Sequence, residues 1–221
     1  MENQQLEYGL ISTSETEAMV KVLAEAFTRH DPLAVGVGLT PADFEAFVRT
    51  LLPNVAQEGL TVVARLRETG EIVGALLTED AAAAAPEGME HLGEKFGPIA
   101  DILGGLVGEY MGGQAPRHGE KLHLYLLGVS DRATQKGVGQ ALVARCLENG
   151  AHRGYRIAFA EATNRTSQHI FRKLGFLPRV ARSYQDHVFK GRRVFESIAA
   201  HGGPILMDMP ILALHSPGSR D

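Results

Sequence analysis

The chain has 221 residues, 44% hydrophobic and 22% charged, with a formal net charge of −4. It can therefore bury a full core as a single domain spanning residues 1–221, while its acidic balance argues against a nucleic-acid surface and suits cationic substrates. One cysteine, Cys146, excludes an internal disulfide and a cysteine zinc site, and no metal is expected. The N-terminus lacks the basic and apolar regions of a signal peptide and no apolar run approaches membrane-spanning length, so a cytoplasmic protein without a membrane role is expected.

In chain order, Leu6 to Ile11 alternates as a first strand, and Ser12 to Ser14 supply cap oxygens for a helix through Ala18, Val22, Leu23, Ala26 and Phe27 that stops at His30-Asp31-Pro32. Thr40-Pro41 opens a second helix through Phe44, Phe47, Val48 and Leu51. Leu60 to Arg67 and Ile72 to Thr78 read as a hairpin. Between about residues 80 and 119, glycines at 93, 97, 104 and 105 break the helical periodicity, which predicts an insertion of two short helices over one side of a sheet. Leu122 to Val129 is an apolar strand, followed by Thr134-Gln135-Lys136-Gly137-Val138-Gly139 and a helix over 138–152 with Cys146 on its apolar side. A strand from Arg156 to Ala162, a helix from Thr166 to Leu174, strands near 179–189 and 205–211, and a loose tail over 212–221 complete the chain.

Strand, glycine turn and helix make an anion site, because the first N–H groups of a helix lack internal partners and lie at its positive end. Leu142 stands where a Rossmann fingerprint needs its third glycine, and no Gly-Lys-Ser/Thr of a P-loop exists, so a phosphate cradle of another kind remains. Leu127-Gly128-Val129-Ser130 together with Thr134 to Leu142 resembles the acyl-CoA motif of the GNAT acetyltransferase superfamily, Arg/Gln-x-x-Gly-x-Gly/Ala, with Thr134 at the Arg or Gln position. Asn164 followed by Phe171-Arg172-Lys173-Leu174-Gly175-Phe176 resembles its second signature.

The resemblance implies a mixed α/β, mostly antiparallel twisted sheet with helices on both faces and a splayed central parallel strand pair. It implies acetyl-CoA held by backbone of Leu127, Gly128 and Val129, by the loop from Thr134, Gln135 and Lys136 through Gly137, Val138, Gly139 and Gln140, and by Asn164, Ser167 and Phe171. Gly128, inside a strand pattern, is consistent with a bulge. His30-Asp31-Pro32-Leu33, the Thr163/Ser167 pair and the 190–195 and 205–210 stretches are also similar to the insect-type arylalkylamine acetyltransferases.

Transfer to an amine needs a bound thioester, a neutral amine and a proton acceptor. An alkylammonium of pKa about 10.4 is neutral roughly 0.04% of the time at pH 7, a cost of about 4.6 kcal/mol. Asp31, His123 and Glu161 are the candidate acceptors, with His123 expected as the direct base and Glu161 read as a solvated strand end. Phe171 stands where a tyrosine acid is usual, which leaves Ser167, or Tyr184 from the next strand, as the nearest hydroxyls. Three readings stay open: an acetyltransferase for a small primary amine, one for an amino acid, antibiotic or protein N-terminus, and a non-catalytic acyl-CoA-binding module. A homodimer also stays open.

Overall fold

A computed structural model of the chain describes residues 5–133 and 137–212. Its centre is a seven-stranded sheet of order β1-β2-β3-β4-β5-β7-β6, formed by Leu6–Leu10 (β1), Val62–Leu66 (β2), Ile72–Asp80 (β3), Lys121–Val129 (β4), Ile157–Ala162 (β5), Leu177–Ala181 (β6) and Ile205–Pro210 (β7). All neighbours run antiparallel except β4 and β5. Helices Thr16–His30 (α1), Pro32–Gly36 (α2), Pro41–Glu58 (α3) and Phe96–Met111 (α4) precede β4, while Val138–His152 (α5) and Arg165–Lys173 (α6) flank β5.

Two apolar layers hold the sheet. On one face α1 and α3 bury Leu23, Phe44, Phe47 and Leu51 against Ala75, Leu77 and Leu126. On the other, α5 and α6 bury Leu142, Cys146 and Phe171 against Leu122, Leu124 and Ala160. Each fully buried Leu or Phe is worth roughly 1.5–3 kcal/mol, so these layers carry most of the fold's stability. The start of α3 is fixed reciprocally: Asp43 N–H donates to Thr40 Oγ1 (3.2 Å) and Thr40 N–H to Asp43 Oδ2 (2.9 Å), with Pro41 at the first position. Such a box contributes on the order of 1 kcal/mol.

Several expectations are corrected. The insertion holds a single 3₁₀ turn at Met89–His91 and one 16-residue helix, α4, rather than two short helices. Gly97 and Pro98 fall in its first turn, where a missing N–H breaks no bond, and its buried Ile102 and Leu106 hold it through Gly104 and Gly105. The strand expected near 179–189 ends at Ala181, and the chain then leaves the sheet. Gly128 pairs regularly with Ala75, so it is not a bulge. A Cβ there would come within 2.9 Å of Leu23 Cδ2 and 3.2 Å of Ala26 Cβ, so the glycine lets α1 cross β4 closely. The irregularity lies at Tyr125: Leu77 pairs with Leu126 and Thr78 with Leu124, which leaves Tyr125 as an extra residue in β4.

Candidate active site

Strands β4 and β5 are paired only over residues 121–123 and 157–159, and beyond the His123–Phe159 pair they separate. The gap opens into a cleft of about 1610 Å³ that reaches Gly137–Gln140 and Asn164–Ser167 at one end and Glu79, His123, Phe159 and Glu161 at another. Past residue 123, the edge of β4 facing β5 has no strand partner among the described residues, so the backbone around Leu127 and Val129 is free to bond a ligand.

At the first end, Gly137 caps α5 at φ +72°, a conformation that favours glycine, and no side chain among the described residues hydrogen-bonds into the cap. The helix's first donors are therefore left to a ligand. Gly139 is buried, and a Cβ there would press to 3.2 Å on Ile170 Cδ1, so this glycine also serves the contact between α5 and α6. Val138 is buried and Gln140 lines the cleft. Thr134, Gln135 and Lys136 lie outside the described residues. Asn164 caps α6, its Oδ1 accepting from Ser167 N–H at 2.9 Å, while the Ser167 hydroxyl donates to the Asn164 carbonyl at 2.9 Å. Phe171 is buried against Phe176, with ring centroids 4.9 Å apart, and borders the cleft.

Asp31 lies where α1 turns into α2. Its Oδ1 accepts from Ala34 N–H (3.0 Å) and its Oδ2 from the Thr163 hydroxyl (2.5 Å), which ties this corner to the end of β5. Burial pushes its carboxyl above the usual range, against the opposing pull of the Thr163 hydroxyl and the Ala34 and Leu33 amides. Tyr184 does not reach the cleft: it is fully buried and donates to the Thr163 carbonyl at 2.7 Å, and burial and then the Asp31 charge raise its phenol. It props the Asp31 partner from behind.

His123 is bonded on both sides, Nδ1 to Glu79 Oε1 at 2.9 Å and Nε2 to Glu161 Oε2 at 2.8 Å, and its ring stacks on Phe159 at 4.5 Å and 4°. Burial alone would push its pKa down, but the Glu161 charge and hydrogen bond and then Glu79 outweigh that and hold it up to about 10. The ring is an imidazolium at neutral pH, with no lone pair to take a proton. Glu161 is no solvated strand end, since its side chain is only 5% exposed. Glu79 is missing from the sequence reading altogether. The β3–β4 register places it opposite His123 across the α4 insertion, a pairing that no local pattern signals.

Residues 39–176 match the acetyltransferase (GNAT) family. No curated protein gives a significant sequence match. Among solved structures, the fold is similar to the C-terminal condensation domain of Ebony in complex with beta-alanyl-dopamine (TM-score 0.85, 13% identity, covering 94% of this chain and 100% of that one). It is also similar to arylalkylamine N-acetyltransferase 2 from Aedes aegypti (0.78, 20%, 94% and 100%) and to a Drosophila melanogaster polyamine N-acetyltransferase (0.73, 22%, 93% and 100%). With the family matched over more than half its length, around a parted strand pair and an open helix N-terminus, this chain belongs to the GNAT acetyltransferase family and is an N-acetyltransferase.

Proposed function

We propose that this chain transfers an acetyl group from acetyl-CoA to the primary amine of a small molecule, by direct attack within a ternary complex, as a single cytoplasmic domain. The observation that carries this reading is the continuity of one cleft from the open α5 N-terminus, past the unpaired edge of β4, to a floor of buried acids. The residues fit acetyl-CoA: backbone of Gly137 to Gly139 would hold its pyrophosphate, the free edge at Leu127 and Val129 its pantetheine, and Asn164, Ser167 and Phe171 would border its acyl arm. Acetyl-CoA supplies the activated acyl group. Apolar walls from Phe27, Phe47, Phe96, Tyr125 and Phe159 suit an acceptor with an apolar arm, and the acids suit its charge.

Once the nitrogen has bonded to the acyl carbon it carries a positive charge and a proton to shed. Asp31, whose proton affinity is raised by burial, receives that proton. Thr163 fixes the carboxylate through its hydroxyl, and Tyr184 fixes Thr163. The Ser167 hydroxyl, committed to the Asn164 carbonyl, holds the turn that opens α6. Departure of the thiolate needs no dedicated acid. Calorimetric titration with acetyl-CoA, followed by CoA release with pooled primary amines, tests the assignment. Saturable binding with turnover of a small amine is expected; binding without turnover of any amine would make the chain an acyl-CoA-binding module.

A further inference from the structure

An acceptor that enters as an ammonium and leaves as an amide loses two protons from its nitrogen, one before it attacks and one after. Asp31 accounts for the second. Glu161 has what the first requires. Its side chain is 5% exposed and lines the cleft, its Oε2 accepts from His123 Nε2 at 2.8 Å, and its Oε1 is buried with no hydrogen-bond partner among the described residues. An unpartnered buried carboxylate oxygen is costly and rare, which points to a donor that arrives with the substrate. The surroundings say which kind of donor. Glu79, the protonated His123 and Glu161 form a row across β3, β4 and β5, and two carboxylates against one imidazolium leave the row at a net charge of −1. The row is one donor and one positive charge short, and an alkylammonium supplies both. Glu161 also lies two residues beyond Phe159, the last β5 residue paired with β4, and so at the fork where the cleft begins.

We infer that Glu161 docks the reacting ammonium of the acceptor and takes its first proton. An N–H bond breaks, its electron pair stays on nitrogen as the attacking lone pair, and the proton forms an O–H bond at Oε1. The charge of the row goes from −1 to zero. His123 is a positioning residue: bonded on both edges and stacked on Phe159, it pins Oε2 and leaves Oε1 as the oxygen without a partner among the described residues. This inference rests on the reading of the chain as an amine N-acetyltransferase.

The test is Glu161→Gln, which keeps the shape and removes the proton acceptor. Acetyl-CoA affinity should stay within about twofold, while kcat/KM should fall by roughly 10²–10⁴ for both 2-phenylethylamine and 1,4-diaminobutane. Unchanged kcat/KM would overturn the inference. A loss confined to 1,4-diaminobutane would overturn it too, by assigning Glu161 to a distal cation. If the wild type binds acetyl-CoA but turns over neither these nor pooled amines, the underlying reading fails and this one with it. Should the variant not fold, the wild type still decides: 2-phenylethylammonium should shift the His123 Nε2 resonance in ¹⁵N NMR, and an unmoved resonance at saturating amine would overturn the docking.

Discussion

Glu79 and Asp80 are consecutive in β3 and point to opposite faces of the sheet, and their fates differ. Asp80 Oδ1 accepts from Ala82 N–H (2.9 Å), and its Oδ2 accepts from Gly119 N–H (2.7 Å) and the Tyr155 hydroxyl (3.1 Å), so every oxygen has a neutral donor. Glu79 instead faces the imidazolium of His123, in a row that ends on an oxygen without a partner among the described residues. The satisfied acid ties loops to the sheet, and the unsatisfied row waits for a ligand. Burial alone does not separate the two, because their side chains are only 10% and 19% exposed; the difference is whether the donors are complete among the described residues.

Asp31 tests the comparison hardest, because its oxygens are partnered yet it borders the cleft. Asp31→Asn keeps a good helix cap, so stability should hold while kcat falls by about 10²–10⁴. A rise in KM with kcat unchanged, in steady-state kinetics, would reduce Asp31 to amine binding. Asp80→Ala should do the reverse. Stranding the Gly119 and Tyr155 donors should cost about 3 kcal/mol in urea unfolding, with kcat/KM of the folded protein unchanged.

His123 sharpens the contrast through pH. Its folded pKa, raised to about 10 from a reference near 6.5, means that its contribution is fully present below about 6.5 and lost as pH rises through about 10. ¹⁵N NMR should find the ring doubly protonated at pH 8, and a neutral ring there would break the charge count of the row. The smallest effect belongs to Glu58, beside Asp80. Burial above all, with the charges of Glu79 and Asp80, raises it to about 7 although its Oε2 accepts from Asp80 N–H. A raised carboxyl contributes below its unfolded value near 4.5 and loses that contribution as pH rises through about 7. Because Glu58 is only partly buried, Glu58→Gln should stabilise by only about 1 kcal/mol at pH 8 and by nothing at pH 4, measured by Tm.

What the sequence made legible was local. The Thr40-Pro41 cap and the strand–glycine–helix run through Gly137 are written within a few residues, and each is where the spacing predicts, while the helix expected from Thr166 starts one residue earlier, at Arg165, behind an Asn164 cap. What stayed hidden depends on the partner across the fold. Gly128 is glycine because of Leu23 and Ala26, more than a hundred residues away. Glu161 reads as solvated until β4 is seen to bring His123 against it. Tyr184 lies behind Thr163 rather than before it, which no alternation within its own segment foretells. Helix α4 runs through its glycines because Ile102 and Leu106 are anchored by other elements.

The extra residue at Tyr125 works as a phase shifter within one strand. A one-residue slip in a strand turns every side chain to the other face, and the insertion confines that turn to a single point. On one side of it, Leu127 and Val129 keep the register that presents the backbone edge. On the other, His123 keeps the register that aims its ring along the row to Glu79 and Glu161. The two halves of β4 thereby keep separate phases against β3. Deleting Tyr125 would make Leu124 and Leu126 neighbours, matching Thr78 and Leu77 across the ladder, and so remove the irregularity while leaving both halves on their present faces.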